Sequence, residues 1–265
     1  MKNIFSQISD IIKGDVSAVI LCAGSSTRFS TTRESKQMVE VLGKSVIVRT
    51  IEAFENCHAI REIILVVRKE DTADYNKLIC EHNFKKISCI VVGGETRQIS
   101  AMRGFKHVSE KATFVAFHDG ARCLITPDLI ELVVKTARTT KAATAATHMS
   151  DTVKVADAEG NILKTVDREL MWTVQTPQVF DKDLYRVCIE NAITNGIIAT
   201  DDCMLAEAYG QKVKLVETGK ENIKITYKED VEIAEAILTI RGEEVEEEWE
   251  LVTDTTYIAF AKVSL

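Results

Sequence analysis

Five charged residues stand out for their type and setting: Arg28, Lys36, Asp119, Arg122 and Lys224. Arg28 and Lys36 follow the run AVILCAGSSTRF, in which apolar Ala18 to Leu21 give way to Cys22, Ala23, Gly24 and Ser25. Small residues in such a turn let backbone N–H groups approach anionic oxygens, and the arginine and lysine add the charge that a triphosphate requires. The segment therefore points to nucleotide chemistry, although Lys36 taken alone reads equally as a solvated lysine. Ala23 to Phe29 fits neither GxxxxGK[ST] nor GxGxxG, which leaves a P-loop ATPase or a dinucleotide dehydrogenase without support.

Two further clusters follow apolar runs. Gly93-Gly94-Glu95-Thr96-Arg97-Gln98-Ile99-Ser100 leads from a strand into a helix. Its paired glycines permit close backbone approach to a planar base, and Ser100 is placed to hydrogen-bond base or ribose, or simply to cap a turn. His118-Asp119-Gly120-Ala121-Arg122 comes after the run ending at Phe117. An aspartate at the carboxyl end of a parallel strand lies where α/β sheets bind ligands, and its hard oxygens suit Mg²⁺. Arg122 is placed to clamp a second phosphate or to form an ion pair, whereas His118 reads as a satisfied core residue. Polar clusters at Thr165–Arg168, Gln175–Gln178 and Asn222–Thr226 bring two more cations, Arg168 and Lys224, suited to phosphate or to a structural role.

The elements that must position these residues alternate. Val16 to Cys22, Glu62 to Val67, Ile87 to Val92, Thr113 to Phe117, Ala142 to Thr147 and Lys212 to Glu217 read as strands buried on both faces. Ser45 to Asn56, Thr72 to His82, Arg97 to His107 and Pro127 to Arg138 read as helices, and Thr200-Asp201-Asp202 starts another that Gly210 ends. The order implies an α/β fold with a largely parallel sheet. Thr152 to Ala156 and Ile162 to Val166 alternate around a turn-forming DAEGN and predict a β-hairpin arm, which packing on another subunit would stabilise. Ile4, Phe5, Ile8, Ile11 and Ile12 predict an amphipathic first helix. Arg241 to Glu250 is strongly acidic, and Leu251 to Leu265 reads as an edge strand or disorder.

Composition narrows the function classes. A formal net charge of −7 over 265 residues argues against a general nucleic-acid binder, which needs a clustered cationic excess. No apolar run has the length of a membrane span, and Met1 to Gly14 lacks the order of a secretory signal, so the expected location is cytoplasmic. Seven scattered cysteines without a Cys-x-x-Cys pair argue against a zinc site or a disulfide framework.

Taken in order, AGSSTR, SKQ, GGETRQIS, HDGAR, DTVK, TVDR, QTPQ and NIKIT resemble the 2-C-methyl-D-erythritol 4-phosphate cytidylyltransferases, over about Ser17 to Leu238. The resemblance implies a Rossmann-like, mostly parallel sheet of the nucleotide-diphospho-sugar transferase type in residues 1–240. An arm at about 150–172 would make a homodimer, and residues 241–265 would form an acidic extension. It implies Mg²⁺-dependent transfer of CMP from CTP to the methylerythritol phosphate, with no nucleic-acid or membrane partner. By motif, Arg28, Lys36 and Lys224 would be catalytic, and Cys22, Ala23, Gly24, Ser25, Gly94 and Ser100 would line the nucleotide. Asp119 would hold the metal. Arg122, Thr176 and Thr200 would line the acceptor pocket, with Thr152 and Arg168 supplied by the neighbouring subunit. A ribitol 5-phosphate cytidylyltransferase and an inactive nucleotide-binding regulator are the alternatives. The chain departs from the family pattern at Cys22, Ser26, Ser35, Gly120 and Cys123, and loss of a proline at Ser35 removes a restraint on the Arg28 to Lys36 loop.

Overall fold

The computed structural model describes residues 14–24, 29, 35–243, 249–254 and 257–262. The predicted first helix and residues Ser25, Ser26 and Arg28 lie outside them.

β1 (Val16–Leu21) is apolar or small throughout because it runs through the middle of the sheet. Val16, Ala18 and Ile20 enter the core on one face, and Val19 and Leu21 on the other. A short hairpin of β2 (Glu40–Val41) and β3 (Lys44–Ser45) leads into α1 (Val46–Asn56), whose first turn is capped by the Ser45 hydroxyl. Then follow β4 (Ile60–Val67), α2 (Thr72–His82), β5 (Ile87–Val92), α3 (Arg97–Phe105), β6 (Phe114–Asp119), α4 (Pro127–Thr140) and β7 (Ala142–His148). Thr96 caps α3 and Thr126 caps α4, with Pro127 in the first turn, where its missing N–H costs nothing.

After β7 the chain leaves the sheet as the hairpin β8 (Lys154–Ala156) and β9 (Ile162–Thr165), then returns as β10 (Trp172–Asp181). α5 (Lys182–Thr194), α6 (Asp202–Tyr209), β11 (Lys214–Glu217) and α7 (Glu229–Ile240) complete the core of the chain. The seven strands lie in the order β11-β7-β10-β6-β1-β4-β5. All neighbours are parallel except β10, which runs antiparallel to both β6 and β7. α1, α2 and α4 bury one face of the sheet, and α3, α5 and α6 bury the other. A smaller apolar cluster joins α7 to the turn after β6 through Ala121, Leu124, Ile225, Ala234 and Leu238. No helix among the described residues is long and apolar enough to cross a membrane.

Several expectations need correction. The sequence presents β10 only as a polar QTPQ cluster, because its buried stretch contains Gln175, Thr176 and Gln178, whose polar groups find partners inside the fold. Helices α5 and α7 add to the helices expected from the sequence. β6 continues two residues past Phe117, so Asp119 is its last residue and not part of the following turn. Trp249–Asp254 (β12) and Tyr257–Lys262 (β13) pair with one another and form no edge of the main sheet. The predicted arm is a hairpin with every strand residue exposed.

Two departures from the family pattern explain each other. A β-carbon on Gly120 would lie 2.3 Å from the Cys22 sulfur, with its next neighbours at 3.3 Å, so the thiol occupies the space of a side chain at 120. Gly120→Ala alone should therefore lower the melting temperature, at a cost of about 1–3 kcal/mol for overpacking. Cys22→Ala with Gly120→Ala should recover most of that loss in a thermal-denaturation cycle; additive losses would disprove the coupling.

Candidate active site

The sheet's carboxyl edge opens into a cleft of about 470 Å³. The end of β1 and the turn beyond it contribute Leu21, Ala23 and Gly24, and the loop before β2 contributes Lys36 and Gln37. Gly94, Arg97 and Ser100 enter from the start of α3, Asp119 and Ala121 from the end of β6, and Lys224 from the segment before α7. Arg68 and Glu70 close the side beyond β4. Strand ends and a helix start converge here because parallel strands all deliver their following loops to one edge.

Asp119 is the centre of charge. Lys224 Nζ donates to its Oδ2 at 2.7 Å, Arg97 Nε lies 3.5 Å from Oδ1, and Arg122 Nε lies 3.9 Å from Oδ2. Burial raises the carboxyl pKa, but Lys224, then Arg97 and Arg122, outweigh it and hold Asp119 well below the usual carboxylate range. Arg97 is in turn fixed by Asp202, whose Oδ2 accepts from Arg97 Nη1 at 2.7 Å and whose Oδ1 accepts from the Tyr185 hydroxyl at 2.6 Å. Lys36 is buried and its Nζ donates to the Ile225 carbonyl at 2.8 Å, which ties it to the residue beside Lys224.

Behind Asp119 lies a chain of directed hydrogen bonds. The Asp119 N–H donates to Thr176 Oγ1 at 3.0 Å, and that hydroxyl is 3.0 Å from His118 Nδ1. His118 Nε2 is 3.2 Å from the Arg122 carbonyl, which can only accept. This assigns the proton to Nε2 and makes Nδ1 the acceptor of the Thr176 hydroxyl. Burial pushes the His118 pKa down to about 3, so the ring stays neutral. The same strand segment is secured by Asn222, which donates to Gln175 Oε1 at 2.8 Å and to the Thr176 carbonyl at 2.9 Å.

The sequence-predicted residues divide into groups. Ala23, Gly24, Lys36, Gly94, Ser100, Asp119 and Lys224 are brought together on the cleft wall. Cys22 adjoins them in the chain, but its side chain is buried against Gly120. Ser100 Oγ accepts from the Gly94 N–H at 3.0 Å, so its hydroxyl also shapes the loop. A β-carbon at Gly93 would fall 2.4 Å from that of Ala23, so the glycine is required by close approach of the protein's own loops. Arg122 and Thr176 are packed beside Asp119, with Arg122 Nη1 bonded to the Asn222 carbonyl at 2.7 Å. Thr200 is exposed before α6, and Thr152 and Arg168 are exposed at the hairpin; none of the three lines the cleft. Arg28 and Ser25 lie outside the described residues. Ser35 hydrogen-bonds Gln37 through its hydroxyl at 2.7 Å, which fixes the Lys36 end of the loop without proline.

The sequence does not single out Arg97 and Asp202 as residues of the site. Arg97 stands within the quoted GGETRQIS motif, where a cation three residues after Gly94 was the available signal. Asp202 read only as a helix start, and nothing local distinguishes a buried ion-pair partner from a cap. Among the described residues no group of three His, Cys, Asp or Glu side chains is placed to hold a metal ion. Asp119, the one buried carboxylate among the described lining residues, with Glu70 and Glu95 exposed at the cleft, fits Mg²⁺ of the kind held mainly by phosphate oxygens, provided that Lys224 yields one oxygen.

A Rossmann-like sheet with a cationic cleft at its carboxyl edge and one buried carboxylate defines a nucleotide-binding α/β protein equipped for phosphate chemistry. The sequence profile of IspD, 2-C-methyl-D-erythritol 4-phosphate cytidylyltransferase, matches residues 16–240, and the chain belongs to this family. A relative of that name from Caldanaerobacter subterraneus subsp. tengcongensis is 42% identical over 225 residues, covering 84% of this chain and 99% of its own. One from Desulforamulus reducens is 40% identical over 230 residues, covering 86% and 98%. The crystal structure of 4-diphosphocytidyl-2C-methyl-D-erythritol synthase from Anaerococcus prevotii superposes with a TM-score of 0.74 at 32% identity, covering 85% of this chain and 99% of that one. The 2-C-methyl-D-erythritol 4-phosphate cytidylyltransferase from Thermus thermophilus gives 0.69 at 28%, with the same coverage.

His118 makes stability depend on pH with a definite sign. Its pKa is depressed in the folded state from 6.5 to about 3, so the unfolded chain takes up a proton first as pH falls. Stability in place above pH 6.5 is lost progressively between 6.5 and 3, by about 2 kcal/mol on going from pH 7 to pH 5. Urea unfolding at the two pH values should show this loss, and His118→Gln should reduce it; an unchanged pH dependence in the variant would remove His118 as its source.

Proposed function

We propose that the protein transfers CMP from CTP to 2-C-methyl-D-erythritol 4-phosphate and releases pyrophosphate. The observation that carries this reading is the convergence of Lys36, Lys224 and Asp119 on one cleft wall beside the Gly24 turn, in a chain of the cytidylyltransferase family. The acceptor's phosphate oxygen attacks the α-phosphorus of CTP. A new P–O bond forms as the bond to the β-phosphate oxygen breaks, and pyrophosphate leaves with the electron pair. No general base is required, because a phosphate is already ionised at neutral pH. Catalysis then rests on positioning and on neutralising the charge that grows on the transferring and departing groups.

Lys36 and Lys224 stabilise that charge, with Arg28 assigned the same task by the family pattern. The backbone from Cys22 to Ser25, with Gly94 and Ser100, receives the nucleoside end. Asp119 would hold Mg²⁺ against the phosphates; the ion, when bound, supplies Lewis-acid polarisation and charge neutralisation. Arg122, Thr176 and Thr200 belong to the acceptor side, where Thr176 acts from behind through its bonds to Asp119 and His118. The hairpin supports a homodimer in which each arm brings Thr152 and Arg168 to the partner's cleft. Ile162 and Leu163 are each 64% exposed and Leu170 is 72% exposed, an apolar surface that a second subunit would cover. All seven cysteines are unpaired, which supports a reducing, cytoplasmic setting.

Pyrophosphate release from CTP, Mg²⁺ and either methylerythritol phosphate or ribitol 5-phosphate tests the reading. Turnover with the first is expected; preference for ribitol phosphate would overturn the substrate, and no release with either would overturn the enzyme. Asp119→Asn and Lys36→Ala should each lower kcat by about 10²–10³-fold, the scale of losing one preorganised charge. Mixed dimers of Lys36→Ala with Arg168→Ala should regain part of the activity that each homodimer lacks, and absence of recovery would sink the shared site.

A further inference from the structure

The loop between α5 and α6, residues 195–201, is exposed over much of its length, with Ile198 84% exposed, yet its backbone is held by the first turn of α3. The carboxamide of Gln98 on the first turn of α3 grips it twice. Gln98 Nε2 donates to the Ile197 carbonyl at 3.1 Å, and Gln98 Oε1 accepts from the Ala199 N–H at 3.0 Å. The preceding residue, Arg97, bonds Asp202 just beyond the loop and faces Asp119 in the cleft. Asp202 is 1% exposed and its backbone N–H is held by Gln178 Oε1 at 2.9 Å, so this anchor is rigid. Two residues after Gln98, Ser100 bonds Gly94 at the nucleoside end. One helical turn therefore touches the nucleoside loop, the buried carboxylate and the backbone that presents Thr200.

We propose that Gln98 is a positioning residue that transmits nucleotide occupancy to the acceptor loop: ordering of the α3 start by CTP fixes Ile197 and Ala199, and through them Thr200. This rests on the assignment of the Gly94–Ser100 end to CTP and of Thr200 to the acceptor. Since the coupling is a binding free energy, each ligand should tighten the other's site by the same factor. Arg97 is the wrong place to test it, because it also faces Asp119. Gln98 touches neither Asp119 nor a cleft lysine, so its removal isolates the link.

The experiment compares wild type with Gln98→Leu, which keeps the shape and loses both bonds, and Gln98→Glu, which keeps an acceptor for Ala199 and loses the donor to Ile197. Amide hydrogen exchange of residues 196–200 is followed with and without CTP, alongside CTP affinity by calorimetry and the KM for each substrate. In wild type CTP should slow exchange at Ala199, and in Gln98→Leu it should not. The acceptor KM should rise about ten-fold in Gln98→Leu, the scale of losing about one net hydrogen bond, and less in Gln98→Glu, while CTP affinity stays within about two-fold. An unchanged acceptor KM despite faster exchange would make Gln98 merely structural and overturn the proposal, as would an equal loss of CTP affinity measured in the absence of acceptor. If Gln98→Leu does not fold, the same criteria apply to Gln98→Glu. Should wild type release no pyrophosphate, the proposed function falls, and the effect of CTP on Ala199 exchange alone decides the coupling.

Discussion

A buried carboxylate must be compensated, and the arrangement around Asp119 is the constraint on which the rest of the structure turns. Three cations approach it from three parts of the chain: Arg97 from the start of α3, Arg122 from the turn after β6, and Lys224 from the segment before α7. Removing one partner of such a cluster leaves an uncompensated charge, a penalty of several kcal/mol in general. The cluster thereby fixes how those elements meet, and leaves cations concentrated where an incoming polyphosphate can exchange for the protein's own carboxylate. The three cations hold the Asp119 carboxyl well below the usual carboxylate range, so it carries its charge at neutral pH.

Rigidity behind the carboxylate comes from an element that breaks the sheet's parallel pattern. β10 lies antiparallel between β6 and β7, and its pairing with β7 slips between Val174 and Gln178. The slip turns Gln175 and Thr176 toward partners that regular ladder pairing would not offer. Thr176 receives the Asp119 N–H and donates its own hydroxyl proton to His118, while Asn222 and Thr218 converge on Gln175. The Gln175 and Thr176 side chains are buried and paired, which is why a strand rich in polar residues survives at the centre of an apolar core. The exposed β8–β9 hairpin leaves the chain between β7 and β10, so the arm springs from the start of the strand that carries this network.

Much of the fold was legible because its causes are local. Buried parallel strands need continuous apolar runs, amphipathic helices need a three-to-four-residue repeat, and Ser45, Thr96, Thr126 and Asp201 announce helix starts through their own side chains. β10 was hidden for the opposite reason: its polar residues are satisfied only by groups far away in sequence. The ordered motifs likewise marked the cleft residues Gly24, Lys36, Gly94, Asp119 and Lys224.

The sequence by itself determined the α/β alternation, the cytidylyltransferase family and most of the residue types that meet at the sheet's edge, since each is written in short runs of neighbours. Tertiary structure alone decided which atom each of them touches. Lys224 reaches Asp119 across 105 positions, Arg97 reaches Asp202 across the same separation, and Gln98 grips a backbone 99 and 101 residues away. Strand order and the meeting of loops at one edge create those contacts, and no local pattern encodes a partner that only folding brings within hydrogen-bond distance.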